Sequence, residues 1–353
     1  MNILILNRRD IYNPLGGGAE KYTLEVAKGL LERGHKVVWF SSMFPGAESR
    51  EERDGILYIR RGSELTTHLF GLIHASKNRR KYDLIIEEFN GIGYMTFPLR
   101  NSILLIHQLY QEFWTAEMGR WAFFMKYVEK FLLSFYKNKF TITVSPSTKE
   151  DLEALGFKRV EIVENGVEPV NVDCRKEERL TLIYLGRLRK TKNPEDAIRI
   201  FLKVKESIPD ARLVVMGTGP LEDYLRSKYS HPDIDFRGFV SEEEKYEWLC
   251  RGHFLLIPSI REGWGIVVIE ANMLGTVAVG YRVKGLKDSI RDGYSGFLVS
   301  SVEEAASRIV DLWSDRNRYK QMSRNAREWA SRFTWNRTRE KFINALKKAG
   351  FPV

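Results

Sequence analysis

The stretch from Asn2 to Ser41 restricts the fold more than any other part of this 353-residue chain. Asn2 to Asn7 is a near-continuous apolar run, the pattern of a strand buried on both faces. A polar loop, Arg8 to Leu15, leads into Gly16-Gly17-Gly18. From Glu20 to Glu32 the apolar positions Tyr22, Leu24, Val26, Ala27, Leu30 and Leu31 describe one face of an amphipathic helix, which Gly34 is placed to end. Lys36 to Ser41 reads as the next strand. Strand, glycine turn, helix and strand make a βαβ unit, so the sheet should be parallel with right-handed crossovers. The class is α/β.

The pattern continues and then restarts. Further strands are expected at Ile56–Arg60, Leu84–Glu87, Ser102–Ile106, Phe140–Val144 and Val160–Val163, with a helix at Ser147–Leu155 opened by a capping box of Ser147 and Glu150. Glu168 to Glu178 is polar, contains Pro169 and has no periodicity, as a linker should. Leu180–Leu185 then begins a second strand, loop and helix series. The chain is too long for one ordinary core. Its expected division is a first domain over 1–168, a linker over 169–178, a second domain over 179–334 and a last helix over 335–353.

Ligands of open α/β sheets bind at the carboxyl ends of the strands, which makes the turns there informative. Gly16, Gly17 and Gly18 lack the dinucleotide fingerprint, but they allow close approach of backbone to a ligand. His107 follows the strand Ile103–Ile106 and is placed to touch a sugar or an acceptor. In the second half, Arg187 and Lys192 share a strand-to-helix loop, where a planar fork and a compact charge together suit a diphosphate. Gly217-Thr218-Gly219-Pro220 is another tight loop, and the segment Asp235 to Val240 offers exposed backbone to a flat base. Asp233 and Asp235 have the spacing of a metal pair, but no other carboxylate cluster supports that role. No metal is expected.

Ser259 to Ala271 carries the densest chemistry. Phe254 to Pro258 is a short buried strand, and Ile266 to Leu274 is a helix that Gly275 stops. Gly263 and Gly265 bring bare backbone to the helix N-terminus, where unpaired N–H groups and the positive dipole end suit a phosphate or a sugar oxygen. Glu262 lies in the turn, and Glu270 leans back toward it from the helix. One acid could hold sugar hydroxyls and the other a ribose. The same positions also suit a helix cap and a surface acid.

Charge and cysteine content narrow the class. The formal net charge is +10, which fits a nucleotide, nucleic acid or an acidic membrane as partner. No recognition helix or base-stacking motif supports nucleic acid. Cys174 and Cys250 are isolated, with no metal spacing and no disulfide framework, and so suggest a reducing cytoplasm. No run is long enough to span a bilayer, and the start has no leader of a secreted protein. Few glutamines among many Lys, Arg and Glu is a bias of proteins from hot environments. Residues 110–140 interleave aromatic rings with Arg120, Lys126, Lys130, Lys137 and Lys139. That stretch reads either as a domain helix with a thick apolar face or as a patch for an anionic membrane and a lipid-linked acceptor.

Taken as an ordered set, these motifs resemble the retaining glycosyltransferases of family 4, along nearly the whole chain. The most specific part is S-x-x-E-G-W-G-x-x-x-x-E-A, from Ser259 through Glu262 and Glu270 to Ala271. Around it stand G-G-x-E (Gly17, Gly18, Glu20), G-R-x-x-x-x-K (Gly186, Arg187, Lys192), G-x-G-P at Gly217, G-F-V (Gly238 to Val240) and D-G-x-x-G-x-L-V from Asp292. The resemblance implies a GT-B fold: two Rossmann-like doubly wound domains facing across a cleft, with the last helix crossing back to the first. It implies a UDP- or GDP-sugar donor held mainly by the second domain, with no metal, and a glycan or lipid-linked acceptor. Arg187 and Lys192 would neutralise the diphosphate, and Glu270 would bind the ribose. Glu262 with the backbone of Gly263, Trp264, Gly265 and Ile266 would bind the sugar. Gly16 to Gly18 would approach the diphosphate, with Gly217 and Val240 around the nucleotide and His107 near the sugar. Trp264 departs from the phenylalanine usual there. An epimerase of the same fold, or a transferase with a small soluble acceptor, would carry the same motifs.

Overall fold

A computed structural model describes residues 1–169 and 174–353. The chain divides into two compact units. The first contains Met1–Trp114, Arg120–Gly166 and Trp335–Val353, and the second Thr115–Gly119 and Val167–Thr334. Positions 170–173 of the expected linker lie outside the described residues.

The first unit is built on an eight-stranded sheet. Its strands are β1 (Asn2–Leu6), β2 (Lys36–Ser41), β3 (Arg50–Arg53), β4 (Ile56–Arg60), β5 (Leu84–Glu88), β6 (Ser102–Ile106), β7 (Thr141–Thr143) and β8 (Val160–Ile162). They lie in the order β3-β4-β2-β1-β5-β6-β7-β8. The central strands are buried without alternation because helices cover both faces: Ile3 to Leu6 are buried throughout, as are Leu84 to Glu88. The sheet departs from the wholly parallel expectation at one edge, where β3 pairs antiparallel with β4. Its sequence, Arg-Glu-Glu-Arg, has no apolar member and so gave no strand signal, yet charge suits an edge that faces water.

The first helix runs over Gly18–Leu31, so Gly18 lies inside it and Gly17 is its N-cap. Ser145, two positions before the expected Ser147, caps the helix Pro146–Ala154 by accepting from the Thr148 amide at 3.2 Å. Pro146 takes the first helical position, where its missing N–H costs nothing. The stretch 110–140 is not one long helix. It breaks into Gln111–Glu117, a single turn at Gly119–Trp121 and a helix over Ala122–Ser134.

The final helix, Trp335–Ala349, belongs to the first unit, as the resemblance implied. Phe342 and Trp335 lie against the edge of the Tyr22 ring. Arg339 reaches Glu25 and Glu32 of the first helix at 2.6 Å each.

The second unit carries β9 (Thr181–Leu185), β10 (Arg212–Met216), β11 (Ile234–Gly238), β12 (Phe254–Ile257), β13 (Val277–Tyr281) and β14 (Gly296–Val299). Their order, β11-β10-β9-β12-β13-β14, is that of a doubly wound dinucleotide-binding sheet, and the pairings are parallel.

The expectation of isolated cysteines is overturned. Cys174 and Cys250 form a disulfide with Cα atoms 5.1 Å apart, within normal bridging reach. A separation of 76 residues hid that proximity, since the strap before β9 returns to the helix Glu242–Arg251. The inference of a reducing compartment thereby loses its observation.

Phe342→Ala should remove a buried ring at the seat of the last helix and cost the first unit about 3–5 kcal/mol. Native-state hydrogen exchange should show protection falling in β1 and β5 and staying unchanged in β9 and β12.

Candidate active site

In each sheet the strand order reverses beside its first strand, between β1 and β5 and between β9 and β12. At such a point the loops leave toward opposite faces and open a crevice at the carboxyl ends.

In the second unit those loops are Gly186–Asn193 after β9 and Pro258–Gly265 after β12, and the fold brings them together. Lys192 Nζ donates to Glu262 Oε1 at 2.6 Å, Ser259 Oγ donates to the same oxygen at 2.8 Å, and the Ile260 amide donates to the Thr191 carbonyl at 3.1 Å. Arg187 sits on the same loop as Lys192, half-buried. The two groups assigned separately to diphosphate and sugar are thus in direct contact.

Backbone lacing fixes the remaining turns. The Gly186 amide donates to the Met216 carbonyl at 3.0 Å, Leu188 to Thr218 at 2.9 Å, and Gly217 to Gly238 at 2.7 Å. Gly217 has φ of +128°, and a Cβ there would stand 2.1 Å from the Gly186 carbonyl oxygen. Only glycine lets these two loops touch. Beyond β11, Phe239 is exposed and Val240 half-buried.

Glu262 is also gripped from behind. Its amide donates to the Lys284 carbonyl at 3.2 Å. Gly285, at φ +84°, packs so closely that a Cβ would meet the Glu262 carbonyl at 2.2 Å. Gly263 and Ile266 are half-buried, and Gly265 is the N-cap of the helix Ile266–Met273. Trp264 behaves differently from its neighbours. The residue is 2% exposed, and its ring packs edge-on against Phe333 at 4.8 Å.

Glu270 is buried and paired. Lys245, on the helix Glu242–Arg251, donates to its Oε1 at 2.8 Å. Burial alone would lower the Lys245 pKa, but Glu270, Tyr246 and Glu242 together outweigh it and hold the ammonium above its ordinary value. Sequence reasoning missed Lys245 because its partner lies on another helix.

In the first unit, Gly17 and Gly18 are exposed after β1, and the Gly17 amide donates to Glu20 Oε2 at 2.7 Å. Gly16 closes the preceding turn through a 2.7 Å bond to the Asn13 carbonyl. His107 follows β6, and its Nε2 lies 3.4 Å from Glu88 Oε2 at the end of β5. The Tyr22 ring stands edge-on to the imidazole at 5.2 Å. Burial raises the Glu88 pKa, against opposing contributions from His107 and Thr23. Glu88 was missed because the expected strand stopped one residue short of it.

Two family models match the chain. Residues 16–170 match "Glycosyltransferase Family 4" and residues 173–329 match "Glycosyl transferases group 1". The chain belongs to glycosyltransferase family 4. Among curated relatives, the phosphatidylinositol N-acetylglucosaminyltransferase gpi3 subunit of Schizosaccharomyces pombe is 23% identical over 340 residues, covering 87% of this chain and 72% of that protein. The chain spans 62% and 37% of two further relatives' lengths. Sucrose-phosphate synthase from Thermosynechococcus elongatus superposes with a TM-score of 0.81 at 19% identity, over 98% of both chains. HepE of Anabaena, in complex with UDP and glucose, does so at 0.73 and 16% identity, over 99% of this chain and 100% of its own. The fold of this family 4 member is GT-B.

Lys245→Met leaves the Glu270 carboxylate buried without its cation. It should cost about 3 kcal/mol in urea unfolding, and adding Glu270→Gln should recover most of that loss.

Proposed function

We propose that this transferase moves a hexose from a UDP- or GDP-sugar to a glycan or lipid-linked acceptor, without a metal and with retention at the anomeric carbon. The observation that carries the reading is the Lys192–Glu262 contact at the switch point of the second unit. A departing nucleoside diphosphate gathers negative charge. Lys192 and Arg187, with the N–H groups opening the helix Ile266–Met273, supply fixed positive ends of the kind that lowers such a barrier. The donor's arrival would draw Lys192 toward phosphate and release Glu262 to sugar hydroxyls. Glu270 is assigned to the ribose, and Gly217 and Val240 to the surroundings of the nucleotide. On the first unit, Gly16 to Gly18 and His107 are assigned to substrate contact. A complex of HepE with UDP and glucose supports the donor class, and retention rests on family membership.

The lipid-linked acceptor draws on a second observation. On the helix Ala122–Ser134, Phe123 is 83% and Tyr127 65% exposed, and Phe124 and Phe131 are exposed beside them. Its one acid, Glu129, is buried and accepts from the Tyr110 amide at 2.7 Å and from Trp114 Nε1 at 3.1 Å. The outer face therefore combines rings with Lys126 and Lys130 and no carboxylate, which complements an anionic lipid surface. Among the described residues no helix is long and apolar enough to cross a membrane, so contact would be interfacial. The phosphatidylinositol-directed name of one relative agrees with such an acceptor.

Incubation with a panel of nucleotide sugars should release nucleoside diphosphate from one of them. Arg187→Ala with Lys192→Ala should lower kcat/KM by roughly a hundredfold or more. Full turnover in that variant would remove the phosphate assignment. The anomer formed, read by NMR, tests retention.

Flotation with vesicles containing phosphatidylglycerol should carry the wild type upward, and Phe123→Ser with Tyr127→Ser should leave it at the bottom of the gradient. Equal flotation of both proteins would assign membrane contact elsewhere.

A further inference from the structure

At the opposite end of the second sheet from the Lys192–Glu262 contact, a cavity of about 370 Å³ opens before β12 and β13. Its floor is Trp313, Tyr319 and His253, all buried. Five cations surround it: Lys176, Arg316, Lys320, Arg324 and Arg327. None of its lining residues is acidic.

The charge is concentrated and unbalanced. Among the described residues, no carboxylate lies within ion-pair distance of any of the five. The partners they have among the described residues are neutral. Lys176 Nζ donates to the Gly252 carbonyl and to Thr276 Oγ1 at 2.6 Å each. Arg324 donates to Gln321 at 2.7 Å and Arg327 to the Leu274 carbonyl at 3.4 Å. Arg316 lies over the Trp313 ring at 3.4 Å. Elsewhere several surface Arg and Lys side chains are paired to Asp or Glu at helical spacing. Burial, with help from Arg327, pushes the Lys176 pKa down to about 7. The same surroundings push His253 down to about 3, so that ring is neutral and adds no charge. Holding like charges around a concave, aromatic-floored space is unfavourable without an anion in it.

We propose that this cavity binds a small phosphorylated molecule, at a site separate from the donor site. Arginine forks and ammonium groups match phosphoryl oxygens, and the volume lies within the range of small-ligand pockets. The site sits at the amino ends of β9, β12 and β13, whose carboxyl ends carry the donor loops. His253 links the two strands at this end: its amide donates to the Thr181 carbonyl at 2.8 Å, and its Nδ1 accepts from the Thr181 amide at 3.1 Å.

The test uses the full chain and inorganic pyrophosphate as probe, by isothermal titration. The Arg187→Ala, Lys192→Ala protein, which lacks the donor cations, should still bind one pyrophosphate per chain. Adding Lys320→Glu and Arg324→Glu, both exposed, should weaken that binding by at least about tenfold and leave the thermal unfolding midpoint unchanged. Absence of pyrophosphate binding to the first variant, or equal binding by both, overturns the proposal. Neither result bears on nucleoside diphosphate release by the wild type, so the donor reading fails or stands separately.

Discussion

Lys192 and Glu262 meet because β9 and β12 are hydrogen-bonded neighbours whose chains leave in opposite directions. From β9 the chain crosses to β10 on one side, and from β12 it crosses to β13 on the other. Right-handed crossovers then put the helices Pro194–Lys205 and Ile266–Met273 on opposite faces of the sheet. The two loops that open these helices close on each other. The contact is a consequence of topology before it is chemistry. Gly217 and Gly285 then hold it in register, one by letting backbone touch backbone and the other by backing Glu262.

The first unit repeats the arrangement with different occupants. Its reversal lies between β1 and β5, so the glycine turn after β1 and Glu88 at the end of β5 share a crevice with His107 after β6. Tyr22 ties this crevice to the last helix. One of its edges meets His107, its ring meets Trp335 and Phe342, and its hydroxyl donates to the Val163 carbonyl at 3.1 Å. The carboxyl-terminal segment therefore supports the imidazole through one buried ring. Its removal would disturb that site through packing, without touching any ligand.

Much of this was legible because the informative residues lie close together in the chain. A strand, a glycine turn and a helix announce a βαβ unit within a few turns of sequence, and Ile266–Met273 and Ser102–Ile106 fall where periodicity and apolar runs put them. What stayed hidden involves partners distant in sequence. Lys245 for Glu270, Glu88 for His107 and Cys174 for Cys250 each come from a separate element. The place of the Trp264 ring was hidden for a related reason: it is set by packing against Phe333, which is distant in sequence. The strand β3 was invisible because its residues answer to water at an edge, not to a core.

The sorting of charge separates three surfaces that composition alone merges into a net +10. At the switch point of the second unit a cation, Lys192, is met by an acid, Glu262. On the helix Ala122–Ser134 the single acid is turned inward to bind Tyr110 and Trp114, which leaves lysines among exposed rings. Around the cavity beside Lys176 none of the lining residues is acidic, and the charges share a concave floor. A paired cation, lysines among exposed rings and a basic cavity respond differently to salt. Screening acts most strongly on Lys130 of the helix, which is exposed. It acts less on Lys176, whose ammonium is desolvated and held by Gly252 and Thr276. Ionic strength therefore divides the surfaces by depth, and a basic chain of this kind is better described by where its acids are withheld than by how many cations it carries.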